Sequence, residues 1–223
     1  YSLIMDFNDS QQEAVFRKEA RDFLEANAEK RSIISDKPND KNPQIAVAGA
    51  PETVKGGKEA AQEALERAKV WQKKKAEAGF AAILWPKEFG GYGGSPIQQV
   101  IYSQEEHDYL VPSGYFEIGI GMLGPTMMVW GKDEDKKRYL PKMITGEEIW
   151  CQLFSEPSAG SDLAGIKMKA EKDGDDWVLN GQKVWTSGAH FADYGMIVAR
   201  SDPSALKHKG LTYFYLDMKT PGI

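Results

Sequence analysis

Apolar residues recur at every third or fourth position in the first two thirds of the chain, and this spacing predicts amphipathic helices. The clearest stripe follows the cap residues Asn8 to Ser10 and contains Val15, Phe16, Ala20, Phe23 and Leu24. Ser95 and Pro96 supply a cap and a first-turn proline for another helix. Five helices are predicted in this way, over residues 9–29, 58–78, 96–109, 125–131 and 133–140.

After Glu148 the pattern changes to short runs that are rich in β-branched and aromatic residues, which is typical of strands. Six strands are predicted, over residues 150–154, 166–172, 177–179, 182–186, 194–199 and 211–216. Asp173-Gly174 and Asn180-Gly181 are strong hairpin-turn pairs, so we expect an antiparallel meander. The predicted fold class is α+β with two domains. An all-α helical domain covers 1–149, and an antiparallel β-sandwich or barrel domain covers 150–223.

Three stretches interrupt these patterns. Residues 31–57 contain three prolines among polar neighbours and predict a long irregular excursion. Gly90 to Gly94 holds four glycines in five residues and predicts a turn-rich loop. The chain ends at Ile223 just after a strand, where a sandwich would still need partners for its edges, so we expect that this chain is cut short.

Composition narrows the classes of partner. The chain has 223 residues, 28 Lys and Arg against 33 Asp and Glu, and a net charge of −5. Without long basic runs it does not resemble a nucleic-acid or anionic-membrane binder, so we expect a small-molecule partner. No apolar run approaches the ~20 residues of a membrane helix, and we expect no membrane span. The single cysteine, Cys151, excludes an internal disulfide and a CxxC zinc site, which fits a reducing compartment.

The usual catalytic constellations are absent from the sequence. His107, His190 and His208 have no nucleophile and no metal-ligand partner at a suitable spacing, so we expect no metal site. Residues 158–161 lack the G-x-S-x-G pattern of a serine hydrolase, and no glycine-rich segment matches a Walker or Rossmann fingerprint. Cys151 is interpreted as a small buried residue, with a reactive thiol as the alternative.

Two segments carry a different pattern. The strand that ends at Ser155 runs into a turn of small residues and proline, which leaves amide N–H groups without obvious partners. Further along the chain, Trp185 is followed by the hydroxyls of Thr186 and Ser187. A planar ring beside hydrogen-bond donors suits a flat heteroaromatic cofactor. The alternative is that Trp185 is a sandwich-core tryptophan and that the hydroxyl residues cap strand ends.

These segments, Cys151 to Asp162 and Asn180 to Gly188, closely resemble the flavin-binding signatures of the acyl-CoA dehydrogenase family. Supporting matches are Trp85-Pro86 with Gly90-Gly91, the segment from Lys136 to Pro141 followed by Thr145-Gly146-Glu147, and Ala199-Arg200-Ser201. The resemblance spans nearly the whole chain and is weakest over 31–57, which resembles an insertion. It implies a helical N-terminal domain and a central β domain, with the C-terminal helical bundle of the family absent here.

The resemblance implies that the cofactor is FAD and that the flavin lies between the β domain and the missing bundle. The implied cofactor-binding residues are Gln152, Leu153, Phe154, Ser155, Trp185, Thr186 and Ser187. Backbone groups of the first four and the Ser155 hydroxyl would bind the pyrimidine edge, Trp185 would flank the ring, and Ser187 would lie near flavin N5. Ser161 would contact the pantetheine of the acyl-CoA substrate.

The implied reaction removes the α-proton of an acyl-CoA and transfers a hydride from the β-carbon to flavin N5, giving a trans-2-enoyl-CoA. No catalytic residue is assigned in this chain, because the family's base, a glutamate, comes from the C-terminal bundle and Glu156 belongs to a turn. The fragment alone is therefore expected to be inactive. Ser155 and Ser187 stand where many members have threonine, Thr186 replaces a usual isoleucine, and Ser158 occupies a position that is often glycine.

The resemblance further implies an electron-transferring flavoprotein as reoxidant, a homo-oligomer, and a bacterial cytoplasmic location, or the mitochondrial matrix in a eukaryote. Two alternatives stay open. One is a flavin oxidase of the same fold, as in acyl-CoA oxidases or nitroalkane oxidases. The other is a non-catalytic binding or partner subunit that has lost the base, with or without loss of the flavin.

Overall fold

The computed structural model of the protein describes residues 8–31 and 57–223, and the excursion predicted over 31–57 lies outside these residues except for its ends. The described residues up to Thr145 are mainly helical. They are α1 (Gln11–Asn27), α2 (Gly57–Glu77), α3 (Pro96–His107), α4 (Gly124–Trp130) and α5 (Asp133–Thr145). Strands β1 (Glu29–Lys30) and β2 (Tyr109–Leu110) form a small antiparallel pair after α1 and α3.

The five predicted helices are confirmed, and capping chemistry explains two of their starts. The Ser10 hydroxyl accepts the Glu13 amide and the Glu13 carboxylate accepts the Ser10 amide, and Ser95 and Gln98 repeat this capping box at α3. Helix α5 continues past the predicted end to Thr145 although it contains Pro141. Leu140, Met143 and Ile144 are buried there, and this packing outweighs the hydrogen bond that the proline lacks.

The second part of the chain is a five-stranded sheet. Its strands are β3 (Trp150–Leu153), β4 (Lys169–Asp173), β5 (Asp176–Asn180), β6 (Tyr194–Arg200) and β7 (Leu211–Asp217). The order is β3-β6-β4-β5, and β7 also pairs with β6. Strand β3 runs parallel to β6, whereas β4 with β5 and β6 with β7 are antiparallel. The sheet is therefore mixed, which corrects the predicted antiparallel meander.

The strand predicted over 182–186 is wrong. Asp173-Gly174 closes the β4–β5 hairpin as expected, but no strand follows Asn180-Gly181. Trp185 has a φ of 59°, which lies in the left-handed region and is incompatible with a strand. Sequence periodicity also carries no information on which distant strand becomes the partner, so it could not reveal the parallel pairing of β3 with β6.

A shared aromatic core joins the sheet to helices α4 and α5. The Trp150 ring stacks on Tyr194 with centroids 5.1 Å apart and meets the edge of Tyr139 at 5.2 Å. Met127 and Met196 are buried in the same cluster, one from α4 and one from β6. Because Trp150 is the first residue of β3, this packing fixes the start of the strand that leads into the candidate site.

Candidate functional site

The two segments singled out in the sequence lie side by side. The Val184 amide donates to the Ser155 carbonyl oxygen over 2.9 Å. The Lys183 ammonium donates to the Phe154 carbonyl oxygen, also over 2.9 Å. Residues 154–156 and 183–185 are thus in direct contact and form one continuous surface at the end of β3.

The backbone at this end of β3 is open on one side. Strand β3 has β6 as its one partner among the described residues, so half of its N–H and C=O groups point away from the sheet. Ser155 is partly buried, yet neither its amide nor its hydroxyl donates a hydrogen bond within the described part of the chain. Donors of this kind are available to a ligand with an acceptor edge.

The side chains of β3 point in two directions. Leu153 is buried in the sheet core against Ile197 and Ala199, so its side chain faces away from the open edge. Gln152 is partly buried and lies on the opposite face of the strand, which it shares with Trp150. The Phe154 ring packs on Tyr213 with centroids 5.5 Å apart. Leu153 therefore presents no side chain to a ligand at this edge.

Trp185 is exposed, with 90% of its surface accessible. This overturns the alternative that it is a sandwich-core tryptophan. Its left-handed backbone, with φ at 59°, is uncommon for a bulky residue, and strain of this kind is concentrated at functional sites. Thr186 and Ser187 follow it and are partly buried.

A tight turn follows the pair of hydroxyl residues. The Phe191 and Ala192 amides both donate to the Gly188 carbonyl oxygen, over 3.2 and 3.0 Å. Gly188 has a φ of 77°, and a Cβ atom there would lie 2.9 Å from the Phe191 ring. A glycine is therefore required at this position, and the turn determines the path of the backbone after Ser187.

Glu156 and Lys183 form a buried ion pair between the two segments, which the sequence reasoning missed. The Glu156 carboxylate accepts the Lys167 amide at 2.6 Å, the Met168 amide at 3.0 Å and the Lys183 ammonium at 2.9 Å. Burial alone would raise the pKa of Glu156, but these three donors outweigh it and hold the pKa below its ordinary value. The carboxylate is thus a fully engaged anion rather than a free base.

The turn after Glu156 carries Ser161. Glu156 and Ala159 exchange both of their backbone hydrogen bonds, at 2.7 and 3.1 Å, and so reverse the chain. Ser161 is exposed beyond the turn. Arg200 supports the following residues, since its guanidinium donates to the carbonyl oxygens of Ala164 at 2.8 Å and Ile166 at 3.3 Å.

Other reactive groups in the described residues are outside the site or inert. Cys151 is buried, and desolvation raises its pKa to about 11, so the thiol stays protonated at neutral pH. Within residues 8–31 and 57–223, no group of His, Cys, Asp and Glu side chains is arranged to hold a metal ion. None of the helices described in these ranges has the length and apolar character needed to cross a membrane.

Comparison with protein families identifies both parts of the chain. A model described as acyl-CoA dehydrogenase, N-terminal domain, matches residues 50–147, and one described as acyl-CoA dehydrogenase, middle domain, matches residues 151–223. The chain belongs to the acyl-CoA dehydrogenase family. The helical part followed by a sheet part is the arrangement expected from this family, and the fold class is confirmed apart from the strand directions.

Individual relatives agree with this assignment. The acyl-CoA dehydrogenase IpdE1 of Mycobacterium tuberculosis is 39% identical over 168 residues, which cover 75% of this chain and 44% of IpdE1. A solved structure titled "Tcur3481-Tcur3483 steroid ACAD" is 31% identical with a TM-score of 0.74, covering 98% of this chain and 50% of that one. The ChsE4-ChsE5 complex from Mycobacterium tuberculosis is 29% identical with a TM-score of 0.69, covering 96% and 49%. The chain spans about half the length of these relatives.

Proposed function

We propose that this chain forms the flavin-binding and CoA-binding part of an FAD-dependent acyl-CoA dehydrogenase. The observation that carries the proposal is the backbone contact between Val184 and Ser155, which brings the segment of the exposed Trp185 against the segment whose Ser155 donors have no partner among the described residues. A flavin has a flat ring system and an acceptor-rich pyrimidine edge, and these two features fit the two halves of this surface.

In this proposal each residue of the site has a distinct task. The Ser155 amide and hydroxyl bind the pyrimidine edge, with open backbone groups of Gln152 to Phe154 beside them. Trp185 covers part of the ring, and Thr186 and Ser187 bring a hydroxyl to its reactive centre. When bound, FAD supplies the hydride acceptor.

Substrate recognition is proposed for the neighbouring turn. The exposed Ser161 hydroxyl is available to hydrogen-bond the pantetheine part of a CoA thioester. The base that removes the α-proton is proposed to lie in the part of the natural protein beyond this chain, since the relatives are about twice as long. Because one similar structure is named a steroid ACAD, thioesters of steroid side chains belong in the substrate panel beside linear acyl-CoAs.

The partners are proposals as well. We propose an electron-transferring flavoprotein as reoxidant and an oligomer of acyl-CoA dehydrogenase chains, either identical copies or, as in the ChsE4-ChsE5 complex, two different ones. We also propose that the protein acts in the bacterial cytoplasm.

The test uses the complete natural protein incubated with FAD and then, without oxygen, with the acyl-CoA panel. Bleaching of the flavin absorbance and formation of an enoyl-CoA are expected. Protein that stays colourless with excess FAD would contradict the proposal. Rapid peroxide formation on admission of oxygen would instead assign a flavin oxidase.

A further inference from the structure

Lys183 is one of the most deeply buried charges of the described chain. Its side chain and that of Glu156 are each 5% exposed. The ammonium donates to Glu156 Oε1 and to the Phe154 carbonyl oxygen, both at 2.9 Å. Desolvation of such a pair costs several kcal/mol per ion, and replacing a buried ion pair with apolar residues of similar volume often leaves a fold equally stable or more stable. Stability alone therefore does not account for an ion pair at this position.

The second acceptor of the ammonium indicates another role. The Phe154 carbonyl belongs to the same peptide group as the Ser155 amide. A charge-assisted hydrogen bond to the carbonyl oxygen polarises that peptide group and makes its N–H a stronger donor. The Ser155 N–H is the group that has no partner among the described residues.

We propose that Lys183 is a positioning residue of the flavin site, in which its ammonium, held by Glu156, fixes the Phe154–Ser155 peptide and strengthens the Ser155 N–H toward the flavin. This inference rests on the proposed function. Reduced flavin carries negative charge at its pyrimidine edge, so a stronger donor there favours the reduced form over the oxidised form. Glu156 contributes by keeping the ammonium in place.

The experiment measures the reduction potential of bound FAD and the Kd of oxidised FAD in variants of the complete natural protein. Lys183→Met combined with Glu156→Gln removes the ammonium without leaving a buried carboxylate unpaired. Lys183→Gln combined with Glu156→Gln keeps a neutral donor and provides a second, milder variant. Lys183→Arg keeps the charge.

A control variant separates a local effect from general loss of stability. Glu105→Gln removes a carboxylate that pairs with Arg17 and Arg21, both at 2.9 Å, between α1 and α3. This network is part of the helical region and touches neither site segment. Thermal unfolding without FAD is recorded for every variant.

We expect the double variant with Met to lose about tenfold in affinity for reduced relative to oxidised FAD, which makes the two-electron potential about 30 mV more negative. The variant with Gln should lose about threefold, and Lys183→Arg should stay within about twofold of the unmodified protein. Equal losses for both oxidation states, or a potential unchanged as in Glu105→Gln, would overturn the inference and leave a structural pair. Unmodified protein that binds no FAD would instead overturn the proposed function itself.

Discussion

The Trp150 indole stacks on the Tyr194 ring at an interplanar angle of 25°, and these two residues begin the parallel pair β3 and β6. The contact therefore joins the strand that enters the candidate site to the strand that follows its second segment. Its position between helices and sheet also makes it a determinant of stability.

Replacing Trp150 with alanine is expected to lower the free energy of unfolding by about 3–5 kcal/mol, because it leaves a large cavity in the shared core. Trp150→Phe should cost less than half of this, since the indole N–H has no partner in the described chain and a ring is retained. Urea denaturation gives both values. Val15→Ala, at a position 56% exposed, is the control and should change stability by no more than about 0.5 kcal/mol.

Replacing Ser155 tests the donor role. Ser155→Ala should weaken FAD binding by about tenfold, which corresponds to one hydrogen bond of roughly 1.4 kcal/mol. Ser155→Thr keeps the hydroxyl and should bind FAD within about twofold of the unmodified protein. Titration followed by flavin fluorescence measures both. Equal FAD affinities of the alanine and threonine variants would show that the Ser155 hydroxyl does not contribute to FAD binding.

Replacing Trp185 should separate stability from binding. Trp185→Gly relieves the left-handed strain, worth ~1–2 kcal/mol, which exceeds the ~0.5–1 kcal/mol of entropy that glycine loses on folding. The FAD-free protein should therefore be more stable by about 0.5–1 kcal/mol, while FAD binds about three- to tenfold more weakly without the ring.

Trp185→Ala is the matched control for this prediction. It loses the same ring but keeps a side chain with a Cβ atom at a φ of 59°. FAD affinity should fall as in the glycine variant without the gain in stability. A glycine variant no more stable than the alanine variant would show that the backbone there is unstrained.

Acid should destabilise the protein through Glu156. Its pKa in the folded state lies below the ordinary value of 4.5, so the unfolded chain binds more protons over this range. The stabilisation is present above the ordinary value and is lost as the pH falls through the folded pKa. Urea denaturation from about pH 6 to about pH 3 should show a weaker acid dependence for Lys183→Met with Glu156→Gln than for the unmodified protein. Parallel curves would contradict this.

Cys151 should be unreactive in the folded protein. The thiol is 1% exposed and its pKa is raised to about 11. At about pH 8, Ellman's reagent is expected to modify it only after urea is added, because the thiolate is the nucleophile. Subtracting the signal of Cys151→Ser isolates this position. Fast reaction in the absence of urea would revive the alternative of a reactive thiol.

Local sequence signals predicted most of the elements. Capping serines and apolar stripes gave the five helices, because the information lies within a few residues of each helix start. The strand prediction for 182–186 was wrong because the backbone conformation of this segment is set by contacts with Phe154 and Ser155 rather than by strand propensity. The predicted strand directions were wrong for a related reason, since β3 pairs with β6, a strand far along the chain.

The candidate site was also predicted only in part from the sequence. The resemblance implies that the segments of Ser155 and Trp185 bind one flavin, and the Val184 amide donates to the Ser155 carbonyl oxygen, so the two segments are in contact. The pair of Glu156 and Lys183 was not predicted, although both residues stand inside the motifs. A charged residue in each of two segments expected to touch was the available signal, and opposite charge at such a contact predicts an ion pair.

The parallel pairing of β3 with β6 also determines when the site can form. Ile149 donates its amide to the Asp193 carboxylate across 44 residues of sequence, and the first residues of both strands meet just beyond. The entropic cost of closing a loop of that length is met before the contacts between its ends can stabilise the chain. We therefore expect the candidate site to form late in folding. During synthesis on the ribosome, β3 therefore has no parallel partner until β6 has emerged.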